Sequence, residues 1–275
     1  MPGSGAWVGD RLRSWLKGSE PILWLHGGPG VGKSYIASKI IAEISRGALS
    51  TAPAPVVASF FCRNNDVDLR SINKALRTLA WQVVAQQNDF AAHAEEFCLK
   101  EDPENSYSVW RNLLLGYLTE VPAQGTCFVI DGLDEAEPEE QEILCSLLGK
   151  TFSEDDIRPT PLRIIILSRD SVRGLHDEHS LAWIEDIEVG NYENKDDLSG
   201  YVVEKLQKTK MFRGSSEFQE EIVSEICMRA EGLWEWANLV IKSVLRCRTK
   251  EQIRKSICSM PRGISAMLTQ ELQRL

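Results

Sequence analysis

Between Trp24 and Ile40 the chain reads WLHGGPGVGKSYIASKI: an apolar run, then four glycines, a proline and a lysine, then an amphipathic run. This junction constrains the fold more than any other feature of the sequence. Glycine takes positive φ without steric cost, so successive backbone N–H groups can turn toward one point. The segment Gly27-Gly28-Pro29-Gly30-Val31-Gly32-Lys33-Ser34 fits G-x-x-x-x-G-K-S/T, and its spacing predicts a loop that leaves a strand and enters a helix.

The neighbouring patterns set the fold class. PILWLHG (21–27), PVVASFFC (55–62), TCFVID (126–131) and LRIIILSR (162–169) are short, continuous apolar runs. Strands buried on both faces of a parallel sheet have this character. WIEDIEV (183–189) is a weaker candidate for a fifth strand. Between these runs, Ile36, Ile40 and Ile44, then Ile72, Leu76, Leu79 and Val83, then Trp110, Leu113, Leu114, Tyr117 and Leu118 recur at helical spacing. The alternation predicts an α/β domain with a parallel sheet covered by helices on both faces. From about Asp196 onward everything reads as helix: 196–208, 217–230, 233–247 and 250–258. A boundary near 191 then divides the chain into a lead-in helix (1–20), an α/β core (21–190), a small helical lid (191–258) and the start of another helical segment (259–275).

Composition narrows what the loop can bind. With a formal net charge of −9 over 275 residues, the chain has no general attraction for nucleic acid or anionic lipid. An anionic ligand must therefore be captured by local geometry. No apolar run reaches the roughly 18 residues of a membrane span, and MPGSGAWVGDRLRSWL does not read as a secretory signal. Seven scattered cysteines without a CxxC predict reduced thiols and a cytoplasmic setting. His176 and His179 are poorly spaced for a shared metal, and a solvated loop is the better reading.

The loop's chemistry is that of a phosphate cradle. Gly28, Pro29, Gly30, Val31, Gly32, Lys33, Ser34 and the adjoining Tyr35 form the candidate nucleotide-binding segment. Their amides and the positive end of the following helix face the anion. Lys33 would pair with the β- and γ-phosphates, and the Ser34 hydroxyl would ligate Mg²⁺. In CFVIDGLDEA, four apolar residues place Asp131 at the carboxyl end of a buried strand, where open α/β sheets bind ligands. Asp131 can hold the same Mg²⁺, and Asp134 or Glu135 can orient or deprotonate an attacking water. Arg169 ends a strand expected beside the loop strand, where a guanidinium can face the γ-phosphate. Asn194-Lys195-Asp196-Asp197 spells the N-K-x-D of guanine readers, but reads more simply as a helix start capped by Asn194 or Asp196.

Together these motifs resemble the NACHT domain of STAND-class P-loop NTPases, in the form found in fungal NOD-like receptors and heterokaryon-incompatibility proteins, the nephrocystin-type N-terminal domain. ILWLHGGPGVGKS, FVIDGLDEA and RIIILSRD carry the resemblance most specifically. VVASFFCRNND, INKALRTLAWQVV, EGLWEWANLVIKSVL and MPRGI support it. The resemblance implies a five-stranded parallel P-loop NTPase core, a helical lid and a winged-helix region that begins near 261. It implies that ATP or ADP is the ligand, with Mg²⁺ as cofactor. Slow hydrolysis and self-association through the NTPase domain follow from it, with effector and repeat-sensor domains outside this chain. Trp234 stands where relatives carry the proline of a G-x-P turn begun here by Gly232. Competing readings are a scaffold that holds nucleotide without turnover, a phosphotransferase and a GTPase.

Overall fold

The computed structural model describes residues 6–47, 55–118, 125–152, 161–176, 183–208, 212 and 216–261. The chain forms two compact units. One comprises Trp7–His26 with Lys33–Glu188; the other comprises Met1–Ala6, Gly27–Gly32 and Val189–Leu275.

The first unit is built on a sheet of five parallel strands: β1 Ile22–His26, β2 Val56–Phe61, β3 Thr126–Asp131, β4 Leu162–Ser168 and β5 Ile184–Glu188. Their order is β2-β3-β4-β1-β5. Every residue of β1 and β3 is buried, which explains why these strands read as unbroken apolar runs and not as alternations. The fifth strand, weakest in sequence, is the edge strand β5, where half-exposure lets Glu185, Asp186 and Glu188 enter. Register puts Leu25, Leu167 and Asp131 in one row across β1, β4 and β3. Asp131 thus ends a strand two places from β1, with β4 between them.

Helices α1 Ala6–Lys17, α2 Lys33–Ser45, α3 Ile72–Val84, α4 Asn88–Lys100 and α7 Pro138–Phe152 belong to this unit. So do the short turns α5 Ser106–Ser108 and α6 Gly116–Leu118. The expected faces are the buried ones: Ile36, Ile40 and Ile44 on α2, and Ile72, Leu76, Leu79 and Val83 on α3. Ser71 caps α3 by accepting the Lys74 N–H. Between α5 and α6 the chain is π-helical over Val109–Leu115. Of the apolar residues there, Val109, Trp110, Leu113 and Leu114 are buried and Leu115 is partly so. Trp24, Trp110 and Trp236 are buried, whereas Trp81 is 69% exposed on α3.

The other sheet edge, β2, is closed by two glutamines four residues apart, Gln82 in the last turn of α3 and Gln86 just past its end. Gln82 accepts the Ser59 N–H at 2.9 Å and donates to the Ser59 carbonyl at 2.8 Å. Gln86 accepts from Val57 N–H at 3.4 Å and donates to its carbonyl at 2.9 Å. The side-chain amides reproduce a strand's donor and acceptor pattern and occupy groups that would otherwise recruit another strand. A Gln82→Leu, Gln86→Leu double variant should lose roughly 2 kcal/mol of stability, since each net hydrogen bond contributes about 0.5–1.5 kcal/mol. It should also self-associate. Denaturant titration and light scattering test this; unchanged behaviour would assign the edge protection to other groups.

The second unit is helical: α8 Asn191–Gln207, α9 Ser216–Ala230, α10 Trp234–Val244 and α11 Lys250–Ser259. Leu198, Val202, Ile222, Ile226, Trp236, Val240 and Ile241 form its core. Helix α8 starts earlier than the expected residue 196. Gly190 precedes it, and the Glu193 carboxylate accepts the Gly190 N–H at 3.2 Å. Asn194 therefore lies inside the first turn and does not cap the helix, a correction to the sequence reading. Residues 262–275, which carry most of the expected winged-helix start, and residues 1–5 of the lead-in lie outside the described residues.

Among the described residues no helix is long and apolar enough to cross a membrane. None of the seven cysteines, all of them described residues, forms a disulfide, and Cys62 and Cys127 are buried in the sheet unit. His176 is exposed and its Nε2 contacts the Asp170 carbonyl at 3.1 Å; His179 lies outside the described residues.

Candidate functional site

In the sheet unit, the predicted residues meet at the carboxyl ends of β3 and β4 and the start of α2. Lys33 opens α2, so its amide and those that follow sit at the helix's positive end. Burial depresses the Lys33 ammonium below its ordinary value; Asp134 opposes that shift and Arg169 reinforces it, with Asp131 and Asp170 also facing it. Lys33 is thus partly desolvated, with three carboxylates and the Arg169 guanidinium acting on its charge.

Asp131 is 1% exposed. Burial raises its carboxyl above the usual range, while a hydrogen bond from Ser34 and the charges of Arg63 and Lys33 pull it back. Its Oδ2 is buried and has no hydrogen-bond partner. A buried carboxylate oxygen without a donor is costly and asks for a cation. Ser34 and Asp131 together offer hard oxygen donors, and Mg²⁺ takes one or two such side chains with the remainder from ligand phosphates and water. The donor set therefore fits Mg²⁺.

Gly132 makes the turn after Asp131 possible. It has φ +76°, and a Cβ there would lie 3.0 Å from the Cys62 carbonyl. The 3₁₀ turn Leu133–Glu135 follows and presents both acidic residues. They differ in surroundings. Asp134 Oδ1 accepts the Arg169 N–H at 3.0 Å, and its Oδ2 lies 3.1 Å from Arg169 Nε. Glu135 Oε2 accepts the Asn64 N–H at 3.2 Å. The structure thus brings Arg169 and Asp134 together as a pair and leaves Glu135 beside β2.

Arg63 escaped the sequence reading. It follows β2, and its guanidinium Nη1 lies 3.8 Å from the Asp131 Oδ2 and 3.6 Å from the Glu135 Oε1. The rule that placed Asp131 at a strand's carboxyl end applies equally to the residue after SFFC, so the signal was present.

The rest of the loop, Gly27–Gly32, groups with the helical unit. Gly27, Gly30 and Gly32 have φ of +156°, +80° and +96°, as the glycine-rich pattern predicts. At Gly27 a Cβ would sit 2.4 Å from the Val189 carbonyl, so only glycine fits. Pro29 is exposed and Val31 buried. Tyr35, one turn into α2 in the other unit, is 50% exposed.

Asn194, the second residue the sequence reading misplaced, is 2% exposed. Its Nδ2 donates to the Val31 carbonyl at 2.8 Å and to the Gly232 carbonyl at 3.0 Å. Trp234, at the expected G-x-P position, donates its backbone N–H to the Gly30 carbonyl at 2.9 Å. Its indole packs within 3.3 Å of where a Gly32 Cβ would stand.

Comparison with known proteins bears on the family and the fold. Vegetative incompatibility protein HET-E-1 of Podospora anserina is 21% identical over 277 residues, which cover 96% of this chain and 20% of that protein. The chain therefore spans about a fifth of that relative's length. Among solved structures, Drosophila ORC bound to DNA superimposes with TM-score 0.54 at 13% identity, covering 92% of this chain and 60% of that one. Aeropyrum pernix ORC2 in ADPNP–ADP complexes gives 0.52 at 13% identity, covering 99% and 70%. At such identities the likeness concerns the fold alone, a five-stranded parallel sheet flanked by helices of the P-loop NTPase kind. The family model described as Nephrocystin 3, N-terminal matches residues 3–169, from the lead-in through Lys33 and Asp131 to Arg169, and the chain belongs to that family.

Proposed function

We propose that this chain is the nucleotide-operated module of a NACHT-type signalling switch. In this reading it binds ATP with Mg²⁺ in a reducing, cytoplasmic setting and hydrolyses it slowly. It self-associates in the triphosphate state and resets in the diphosphate state. The carrying observation is the buried Asp131 Oδ2, which accepts no hydrogen bond among the described residues and has Arg63 only at 3.8 Å, with the Ser34 hydroxyl beside the same carboxylate. That arrangement calls for a divalent cation next to a helix N-terminus, where a triphosphate would bring its own negative charge.

The residues divide the work as follows. Amides of 28–34 would hold the phosphate oxygens, and Lys33 would neutralise the β- and γ-phosphates. Ser34 and Asp131 would hold Mg²⁺, which when bound supplies charge neutralisation across the phosphates. Glu135 would orient the attacking water and accept its proton. Arg169, held by Asp134, would meet the γ-phosphate. Isothermal titration of ATP, ADP and GTP with and without Mg²⁺ tests base, metal and state preference together. ATP affinity unchanged by removing Mg²⁺ would refute the reading. Equal affinity for GTP would refute the assignment of ATP.

A second reading, a scaffold that keeps nucleotide without turnover, draws on one observation. Both acidic residues of the 3₁₀ turn are already engaged, Asp134 by Arg169 and Glu135 by the Asn64 amide. Phosphate release at a rate unaffected by Glu135→Gln would favour it over hydrolysis.

A further inference from the structure

We infer that Asn194 is a positioning residue that sets the direction of the loop's phosphate-binding amides. The peptide group is planar and trans, so the carbonyl of one residue and the N–H of the next point in opposite directions. In the helical unit the Gly30 carbonyl accepts the Trp234 N–H at 2.9 Å, and the Val31 carbonyl accepts Asn194 Nδ2 at 2.8 Å. Each bond turns the following amide, that of Val31 or of Gly32, to the opposite side of the loop. A side chain that anchors a carbonyl therefore aims an N–H.

The arrangement is over-determined around Asn194. Its single amide nitrogen spends both hydrogens, one on Val31 and one on Gly232 at 3.0 Å. Gly232, with φ +80°, lies in the turn between α9 and α10. That turn delivers the Trp234 N–H to Gly30. The Trp234 indole, braced edge-on by Tyr201 at 5.4 Å between ring centroids, then covers Gly32. One buried amide thus joins loop, turn and helix start. Asparagine suits the position because two adjacent carbonyls need two donors from one point; aspartate would face them with repulsion, and alanine would leave both carbonyls buried without this donor.

A consequence follows from linkage. Phosphate binding that orders the Val31 and Gly32 amides also orders the Gly30 and Val31 carbonyls, and with them the start of α10. The loop then reports its occupancy to the helical unit through Asn194 and Trp234. This rests on the proposed phosphate role of the loop, and the experiment separates the two.

Hydrogen exchange of the wild-type chain, with and without Mg-ATP, is read over 28–34 and over 233–236. Slowed exchange in both segments is the expected result. Slowing in 28–34 with 233–236 unchanged would overturn the inference and leave the nucleotide reading standing; no change in either would count against the nucleotide reading. The latch is also tested in the nucleotide-free protein. Asn194→Ala should speed exchange of the Trp234 amide about tenfold while 240–244 keeps its protection. An unaltered Trp234 amide overturns the inference. With nucleotide, Asn194→Ala should raise KM about tenfold with kcat little changed, the loss of roughly one net hydrogen bond's contribution. A fall confined to kcat would also overturn it. Asn194→Asp, which keeps the shape, removes the donors and adds repulsion, should show at least the effect of Asn194→Ala; wild-type behaviour would refute the donor role. The wild-type comparison decides the matter even if neither variant folds.

Discussion

Lys33→Ala is expected to lower affinity for Mg-ATP by about 10²–10³-fold while the nucleotide-free protein stays folded. The size follows from what an ammonium does beside phosphates. Hydrogen bonds to charged groups contribute about 1.5–3 kcal/mol each, and two such bonds to the β- and γ-phosphates, taken in the lower half of that range, correspond to about two or three decades in Kd. Stability should move far less. Burial is the largest influence on Lys33 and works against its charge, so the folded chain already bears a cost for holding an ammonium there. Part of that cost is offset by Asp134, Asp131 and Asp170. Removing the charge relieves one and forfeits the other. Isothermal titration and a thermal melt on the same preparation check both halves. Wild-type affinity in the variant would refute the assigned site, whereas a collapsed melt would show Lys33 to be a structural counter-charge.

How much of this was legible beforehand depended on whether local chemistry or tertiary partners decided each residue's role. Strand β3 was read at its observed limits, Thr126–Asp131, because a run buried on both faces can only be apolar, and its end is marked by the first carboxylate. The loop glycines were legible because positive φ is a local property. Arg63 and Asn194 were not, since their roles exist only across long sequence separations. Arg63 matters through Asp131 and Glu135, and Asn194 through Val31 and Gly232. In sequence, Asn194 matched helix-capping chemistry, and nothing local revealed that Gly190 and Glu193 already serve the helix start. The π-helical stretch Val109–Leu115 has the same apolar residues that an α-helix would show, so spacing alone could not separate them. Gln82 and Gln86 read as ordinary polar positions until the edge strand they close is in view.

Asp131→Asn should abolish the magnesium dependence of nucleotide binding, slow any hydrolysis by about 100-fold or more, and raise the melting temperature of the nucleotide-free protein. The first two effects follow from the donor set. Asparagine keeps an oxygen for the Ser34 hydroxyl but removes the charge that a hard divalent cation requires. Electrostatic groups aimed at developing charge contribute about 2.7–4 kcal/mol each when removed, which is two to three decades in rate. The gain in stability comes from the same carboxylate. With 1% exposure and an Oδ2 that accepts no hydrogen bond among the described residues, its charge is held by the Ser34 hydroxyl first and then by Arg63 at 3.8 Å, too far for a hydrogen bond. Burial raises its folded pKa above the unfolded value, so between the two the native state binds more protons. Stability therefore falls as pH climbs through that window and stays lower above it. A neutral amide removes that slope and should raise the melting temperature at neutral pH. Melts of both proteins across the acidic range, paired with nucleotide titrations with and without Mg²⁺, give the result. A variant that melts lower than wild type at neutral pH would show that Arg63 and Ser34 already compensate the buried charge, and that the cation is not what the site lacks.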